Sequence, residues 1–125
     1  MTHLATTTLA QDLADAVAAK DRARLIRLMH PGVDFRGMTP GRIWEAEGPD
    51  DVAAAFGQWF EDDDHIEAVE HVETDAFADC QRVAYRFRVR NPDGVSLVEQ
   101  QAYLSERDGR IGWLRVMCSG YRLVG

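Results

Sequence analysis

The last third of the chain constrains the fold more than any other part, because both of its turns can be recognised in the sequence. Residues 82–90 read RVAYRFRVR, in which charged and apolar side chains alternate at the period of a β-strand. Residues 91–94, NPDG, have the composition of a tight turn, and Asp108-Gly109 joins two further alternating segments as in a two-residue hairpin. This pattern predicts three consecutive antiparallel strands with readable registers.

Composition limits the class of protein. With 125 residues, of which 46% are hydrophobic, the chain is long enough for a single domain, residues 1–125, with one core. The formal net charge of −7 argues against nucleic acid or an anionic membrane as a partner, because both would repel it. No apolar run reaches membrane-spanning length, and the N-terminus lacks a secretory signal. Cys80 and Cys118 are not closely spaced, so we expect reduced thiols and a cytoplasmic location.

The remainder of the chain predicts three helices. They precede the three consecutive antiparallel strands described above, which together are called the meander. Thr8 and Gln11 have the spacing of a capping box, Asp21 is a plausible second cap, and Gly48-Pro49-Asp50 opens a third helix. A loose tail is expected before Thr8. Strands are predicted at residues 33–35, 42–45 and 65–74, with a loop through Gly37, Pro40 and Gly41. The fold class is therefore α+β, with about three N-terminal helices covering one face of a curved antiparallel sheet.

This order of elements resembles the nuclear transport factor 2-like superfamily, which includes ketosteroid isomerase and polyketide-cyclase-like proteins. The resemblance covers nearly the whole chain and rests on three segments: AAKDRARLIRLMHPGVDF, EGPDDVAAAFGQWF and LVEQQAYLSERDGRIGWLRVMCSG. It implies a cone-shaped fold with a pocket for a small molecule between the helices and the concave face of the sheet.

The two turns predict which side chains share a face of the meander. A two-residue loop pairs Arg107 with Arg110, and a four-residue loop pairs Arg86 with Glu99. One face then holds Arg86, Glu99, Gln101, Tyr103, Leu114, Val116 and Cys118. The other holds Tyr85, Phe87, Val98, Ala102, Leu104, Trp113 and Met117. The superfamily points polar groups of the penultimate strand into its pocket, which favours the first set as concave. The reverse assignment stays open, because a one-residue slip exchanges the faces.

The predicted concave face supplies a candidate site. Arg86 and Glu99 form a charge pair beside Gln101, and we predict that these three are catalytic, as an acid–base or orienting pair with a neutral donor. The alternative is a structural or solvated cross-strand pair. A buried pair predicts that Glu99→Ala costs about 3–5 kcal/mol. The predicted ligand-binding walls are Phe35, Trp44, Trp59, Tyr103, Val116 and Cys118.

The sequence does not match the known catalytic and metal sites that were considered for it. Ketosteroid isomerase uses a Tyr and two Asp side chains. The corresponding positions here are about Leu13, Phe35 and Gln101, so none of the three is kept. His and Glu residues share one face of the strand at residues 65–73, but they spread over about 20 Å, too far for one ion. We expect no metal and no cofactor.

Three functions remain open at this point. The first is a protein that binds a small hydrophobic molecule in an apolar pocket. The second is a lyase, isomerase or hydrolase acting on a polyketide- or terpenoid-like substrate. The third is a non-catalytic dimerising module whose pocket is filled by its own side chains. A void of several hundred Å³ that holds Glu99 would favour the first two. In each case we expect a homodimer through an apolar convex surface formed by Tyr85, Phe87, Trp113 and Met117.

Overall fold

A computed structural model describes residues 8–125, and the predicted loose tail before Thr8 lies outside the described residues. In this part of the chain three helices and seven strands follow one another. They are α1 (Leu9–Ala18), α2 (Arg22–Leu28), β1 (Met29–Thr39), β2 (Arg42–Glu47), α3 (Gly48–Trp59), β3 (His65–Phe77), β4 (Cys80–Asn91), β5 (Gly94–Arg107), β6 (Arg110–Cys118) and β7 (Arg122–Leu123). None of these helices is long and apolar enough to cross a membrane.

The strands form one curved, unclosed sheet in the order β2-β1-β6-β5-β4-β3, with the short β7 added to β5. Neighbours are antiparallel except β1 and β6, which run parallel. The helices cover one face, here called the inner face, and the face away from the helices is the outer face. The α+β class with helices on one side of a curved sheet is therefore confirmed.

Local signals place the helix starts as predicted. Thr8 Oγ1 accepts a hydrogen bond from the Gln11 backbone N–H at 3.1 Å, and Asp21 accepts one from Arg24 N–H at 3.1 Å. Pro49 stands in the first turn of α3, where its missing N–H costs nothing. The side chain of Gln11 turns to Asp15 instead of closing the capping box.

The face assignment of the meander is wrong, and the inner face is the reverse of the predicted one. Arg86 pairs with Glu99 in register, as expected, but alternate residues Tyr85 and Phe87 are the ones packed under the helices, with 1% and 0% exposure. They are core residues and take no part in a convex surface. The apolar positions of RVAYRFRVR face inward and its arginines face water, because only the inner face is covered by α1 and α3.

A β-bulge at Gly112 changes the register of the last hairpin. Arg107 pairs with Arg110 as predicted, but Leu114 lies opposite Leu104 and not Tyr103, because β6 carries one extra residue after Ile111. Only glycine fits there, since a Cβ on Gly112 would lie 2.5 Å from Arg107 Cβ. The bulge brings Leu114 and the following alternate residues to the inner face, whereas the residues of β5 that were predicted beside them stay outside.

The first hairpin is longer than the sequence predicts. Gly37, expected in a loop, lies inside β1 opposite Trp44. An added Cβ on Gly37 would lie 2.7 Å from Trp59 Cη2, so this glycine makes room for the indole ring. Strand β7 was not predicted, since two residues carry no periodic signal.

Candidate functional site

Arg86 and Glu99 do not form a pocket floor. Arg86 Nε lies 2.7 Å from Glu99 Oε2 on the outer face, and the two side chains are 43% and 54% exposed. Gln101 donates to the hydroxyl of Tyr103 at 2.6 Å and lines a groove on the same outer face. The predicted position of these residues in the pocket is therefore wrong, because the sheet face is reversed. Their catalytic role stays a prediction without geometric support.

The predicted walls divide between the two faces. Tyr103 lies on the outer face, where its ring meets Phe77 at 6.4 Å. The other five lie on the inner side, where Phe35 and Val116 are buried and Cys118 is half-buried. The Trp59 ring lies 6.0 Å from Phe35 and 5.8 Å from Trp44 in an edge-on contact. Aromatic rings thus fill much of the space between α3 and the sheet.

An open cavity of about 480 Å³ lies at the end of the cone where α3, the β4–β5 turn and the end of β6 meet. It is called the mouth cavity below. Trp59, Cys118 and Tyr121 form part of its wall, and Glu99 does not line it. Its remaining polar lining includes Thr39, Gln58, Glu61, Asp63, Asp64, Asn91 and Asp93.

Tyr121 and Asp64 hold one side of the mouth together. The Tyr121 hydroxyl lies 3.0 Å from Asp64 Oδ2 and 2.8 Å from the Trp59 carbonyl oxygen. Asp64 also accepts from Asn91 Nδ2 and from the Glu61 N–H, both at 2.9 Å. Burial, and then the charge of Asp64, raise the pKa of the Tyr121 hydroxyl, which therefore stays protonated and remains a donor.

A buried polar pair lies on the inner face, and neither of its residues lines the mouth cavity. The Tyr85 hydroxyl donates to Gln100 Oε1 at 2.5 Å, and Gln100 is the cross-strand partner of Cys118, which lines the mouth. Gln100 is 2% exposed, yet its Nε2 has no hydrogen-bond partner within residues 8–125. Burial, and to a smaller extent Cys118, raise the pKa of Tyr85, so its hydroxyl stays neutral.

A second buried donor belongs to Trp59, which lines the mouth cavity and is 6% exposed. Its indole Nε1–H also lacks an acceptor in the part of the chain that the structure describes. Buried polar atoms in proteins are nearly always hydrogen-bonded, so buried donors without an acceptor among residues 8–125 are unusual. Both can donate to an oxygen atom of a bound molecule.

Sequence reasoning missed Gln100, Asp64 and Tyr121. Gln100 could have been found from the alternation of β4. If the apolar side chains of β4 face inward, Tyr85 lies on the inner face, and so does its cross-strand partner Gln100. Asp64 and Tyr121 lie in irregular segments, and no periodic pattern points to them. Among residues 8–125, no group of three or more His, Cys, Asp or Glu side chains is arranged to hold a metal ion.

The fold and the position of this cavity define a nuclear transport factor 2-like protein, an α+β cone that opens at one end. The chain belongs to the family of the SnoaL-like domain, which its sequence matches over residues 10–112. The superfamily named from the sequence is thereby confirmed. No functionally curated protein matches the chain.

Several solved structures are similar to this chain. A candidate isomerase from Rhodopseudomonas palustris is 15% identical, with a TM-score of 0.73 over 93% of both chains. A candidate polyketide cyclase from Xanthomonas campestris is 16% identical, with a TM-score of 0.68 over 87% of this chain and 86% of that one. An LEH-like epoxide hydrolase from M. tuberculosis is 10% identical, with a TM-score of 0.63 over 89% and 80%. At these identities the similarity shows the fold alone.

Proposed function

We propose that this protein binds a small, largely apolar molecule that carries a carbonyl-type oxygen, at the mouth cavity. The observation that carries the proposal is the buried donor Trp59 Nε1, which belongs to a residue of the cavity wall and lacks an acceptor among residues 8–125. Gln100 Nε2 is a second such donor, and Gln100 is the cross-strand partner of the wall residue Cys118. Leaving a buried donor unpaired costs about 1–3 kcal/mol of stability. Apolar residues of similar size would avoid this cost, so the two donors are better explained by a ligand that accepts from them.

The size of the cavity and the aromatic side chains in its wall support the same class of ligand. Its volume of about 480 Å³ lies within the roughly 300–1,000 Å³ of typical small-molecule sites. Trp59 and Tyr121 contribute aromatic surface to its wall, and aromatic surface favours apolar ring or chain systems. The structurally similar isomerase, cyclase and epoxide hydrolase are named for reactions of small molecules, which is consistent with this proposal.

The experiment has two parts. Native mass spectrometry of the purified protein tests for a co-purified small molecule. Titration with 4-tert-butylacetophenone, an apolar ketone, then measures binding by isothermal titration calorimetry. The variants Trp59→Phe and Tyr85→Phe/Gln100→Leu each remove a donor, the first with a smaller ring and the second with little change of shape, and each should weaken binding by about three- to tenfold.

Gln101→Leu is the matched control, because it removes a similar amide from the outer face. It should leave the affinity unchanged. The proposal fails if the ketone and the co-purification test both show no binding, or if the three variants lose affinity equally.

The enzymatic alternative stays a prediction. Arg86, Glu99 and Gln101 lie on the outer face and give it no support, so a lyase, isomerase or hydrolase would need its acid and base among the groups at the mouth. The cytoplasmic location and the extent of the domain over residues 1–125 also stay predictions.

We also propose a homodimer, through a surface that differs from the predicted one. Ile43, Met38 and Met117 are cross-strand neighbours on the outer face with 67%, 47% and 59% exposure. This outer apolar row is flanked by Arg36 and Glu45, which are themselves cross-strand partners. A two-fold related copy can bury the row and set each of these charges against its opposite.

Sedimentation equilibrium tests this proposal. Met117→Lys or Ile43→Glu should shift a dimer toward monomer by at least about tenfold in dissociation constant, because each buries a charge in the contact. Val69→Lys, at another exposed apolar position, should not. A monomeric wild-type protein at micromolar concentration would rule out the dimer.

A further inference from the structure

The lining of the mouth cavity is acidic. Its lining carries the carboxylates of Glu61, Asp63, Asp64 and Asp93, and within residues 8–125 it includes no Arg, Lys or His. The acids come from two separate segments, the loop after α3 and the turn between β4 and β5. The fold brings both segments to the same end of the cone, where the Asn91 side chain joins them by donating to Asp64 at 2.9 Å.

No basic side chain in the described part of the chain forms an ion pair with any of these four acids. Lys20 reaches the same loop, but it donates to the backbone oxygens of Glu61 and Asp64, at 2.6 and 2.8 Å, and not to their carboxylates. Negative charge at the mouth is thus left available to a ligand.

The Asp64 carboxylate is fixed in place but not neutralised. Its three donors among residues 8–125 are the backbone N–H of Glu61, the amide of Asn91 and the hydroxyl of Tyr121, and none of these carries a positive charge. Tyr121, which is 36% exposed, lines the same cavity, and aromatic faces attract cations. The negative charge and the aromatic surface therefore both favour a positively charged group.

We infer that the mouth cavity selects a ligand with an organic cation, an amine or quaternary ammonium group, at the acidic rim. This inference rests on the proposed function and adds the charge of the ligand to it. The second observation that marks a ligand site here is Trp59, whose buried N–H has no acceptor within residues 8–125 and which lines the same cavity as the acids. The occupant therefore carries an oxygen at its inner end and a positive charge at its outer end.

A bare metal ion does not fit these acids. No three of the His, Cys, Asp or Glu side chains in the described residues are close enough together to coordinate one. A larger cation fits better, because it interacts with spread carboxylates through the field of the cavity and does not need short bonds to each.

The test uses three ketones of nearly the same shape that differ in charge. They are the cation (4-acetylphenyl)trimethylammonium, its neutral isostere 4-tert-butylacetophenone and the anion 4-acetylbenzenesulfonate. Isothermal titration calorimetry of the full chain should show the cation binding at least about tenfold more tightly than the neutral ketone at about 0.02 M NaCl, with the anion weakest. The ratio should narrow to about threefold or less at about 0.5 M NaCl, since salt screens the acids.

Two double variants assign the effect to the mouth. Asp63→Asn/Asp93→Asn should reduce the preference for the cation to about threefold or less while leaving the affinity for the neutral ketone unchanged. Asp79→Asn/Glu106→Gln is the matched control, because it changes the net charge equally, but in the β3–β4 turn and near the end of β5, at the opposite end of the sheet. This control should keep the preference of the wild type.

The outcomes separate the two proposals. Equal affinity for the cation and the neutral ketone overturns the inference and leaves the proposed function standing. Equal loss of preference in the two double variants also overturns it, because the effect would then come from net charge alone. Binding of none of the three ketones overturns both.

Discussion

The two faces of β4 and β5 treat polar side chains in opposite ways. On the outer face Arg82, Arg86, Arg88 and Arg90 each form an ion pair with a glutamate of a neighbouring strand. The hydrogen bond from Arg82, for example, lowers the pKa of Glu73. On the inner face Gln100 satisfies its oxygen through Tyr85, but its nitrogen has no partner in residues 8–125.

This difference separates residues that suit solvent from residues that suit a ligand. Exposed ion pairs contribute about 0–1 kcal/mol each, because water serves the same charges almost as well. A buried amide nitrogen without an acceptor lowers stability by more than that. Stability therefore does not explain why Gln100 is present. On the inner face, this polar side chain lowers the stability of the fold. The following predictions test this contrast.

The largest loss of stability should come from a substitution on the inner face. Phe87 is fully buried and stacks on Tyr85 at 4.7 Å between ring centroids. Phe87→Ala should lower the free energy of unfolding by about 3–5 kcal/mol, because it leaves a cavity in the core. Its neighbour Arg88 faces water, so Arg88→Ala should cost about 0–1 kcal/mol. Urea unfolding of both variants checks this, and similar losses would contradict the assignment of the faces.

The elements that could be predicted from sequence depend on local chemistry. The caps at Thr8 and Asp21, the Pro49 start of α3 and the two hairpin turns all act within a few residues. The fold class followed from these elements and their order. The alternation of charged and apolar residues in β4 also indicates the correct faces, because its arginines face outward. The pocket was nevertheless predicted on the face that carries these arginines.

The parts that were missed depend on distant partners. Gly112 is required by Arg107 across the hairpin, and Gly37 by the ring of Trp59, and neither contact leaves a pattern in the neighbouring residues. The bulge at Gly112 then decided which side chains of β6 share the inner face. Tyr121 and Asp64 meet across 57 positions of sequence, so no single-sequence pattern would bring them together.

An intermediate effect is expected for the buried polar pair. Tyr85→Phe removes the donor to Gln100 Oε1 and leaves the whole amide without partners among the described residues, which should cost about 1–3 kcal/mol. Adding Gln100→Leu should restore most of that loss, because both polar partners are then gone. Thermal or urea melts of the single and double variants measure the difference. A double variant less stable than Tyr85→Phe alone would show that the pair is structural.

The burial of the Tyr85 hydroxyl should also affect the stability of the protein at alkaline pH. The pKa of Tyr85 is raised in the folded protein above its ordinary value of 10.0, so above about pH 10 the unfolded chain loses a proton that the folded chain keeps. The free energy of unfolding should therefore fall as pH rises, by up to about 1.4 kcal/mol per pH unit for this tyrosine. Urea unfolding between about pH 8 and 11 measures the slope. Tyr85→Phe should make it less steep, with the raised pKa of Tyr121 contributing to the slope that remains, and an unchanged slope in this variant would contradict the burial of the Tyr85 hydroxyl.

The smallest effect is expected at the residues that the sequence favoured as the active centre. Glu99 and Arg86 are both about half exposed, so water takes the place of a lost partner. Glu99→Ala and Glu99→Gln should each lower the free energy of unfolding by about 0–1 kcal/mol, not by the roughly 3–5 kcal/mol of a buried pair. Neither change should alter binding of 4-tert-butylacetophenone, since the mouth cavity does not include Glu99. A loss of about 3 kcal/mol or more in urea melts, or a loss of ketone binding, would mean that the pair is shielded from water and belongs to the binding site.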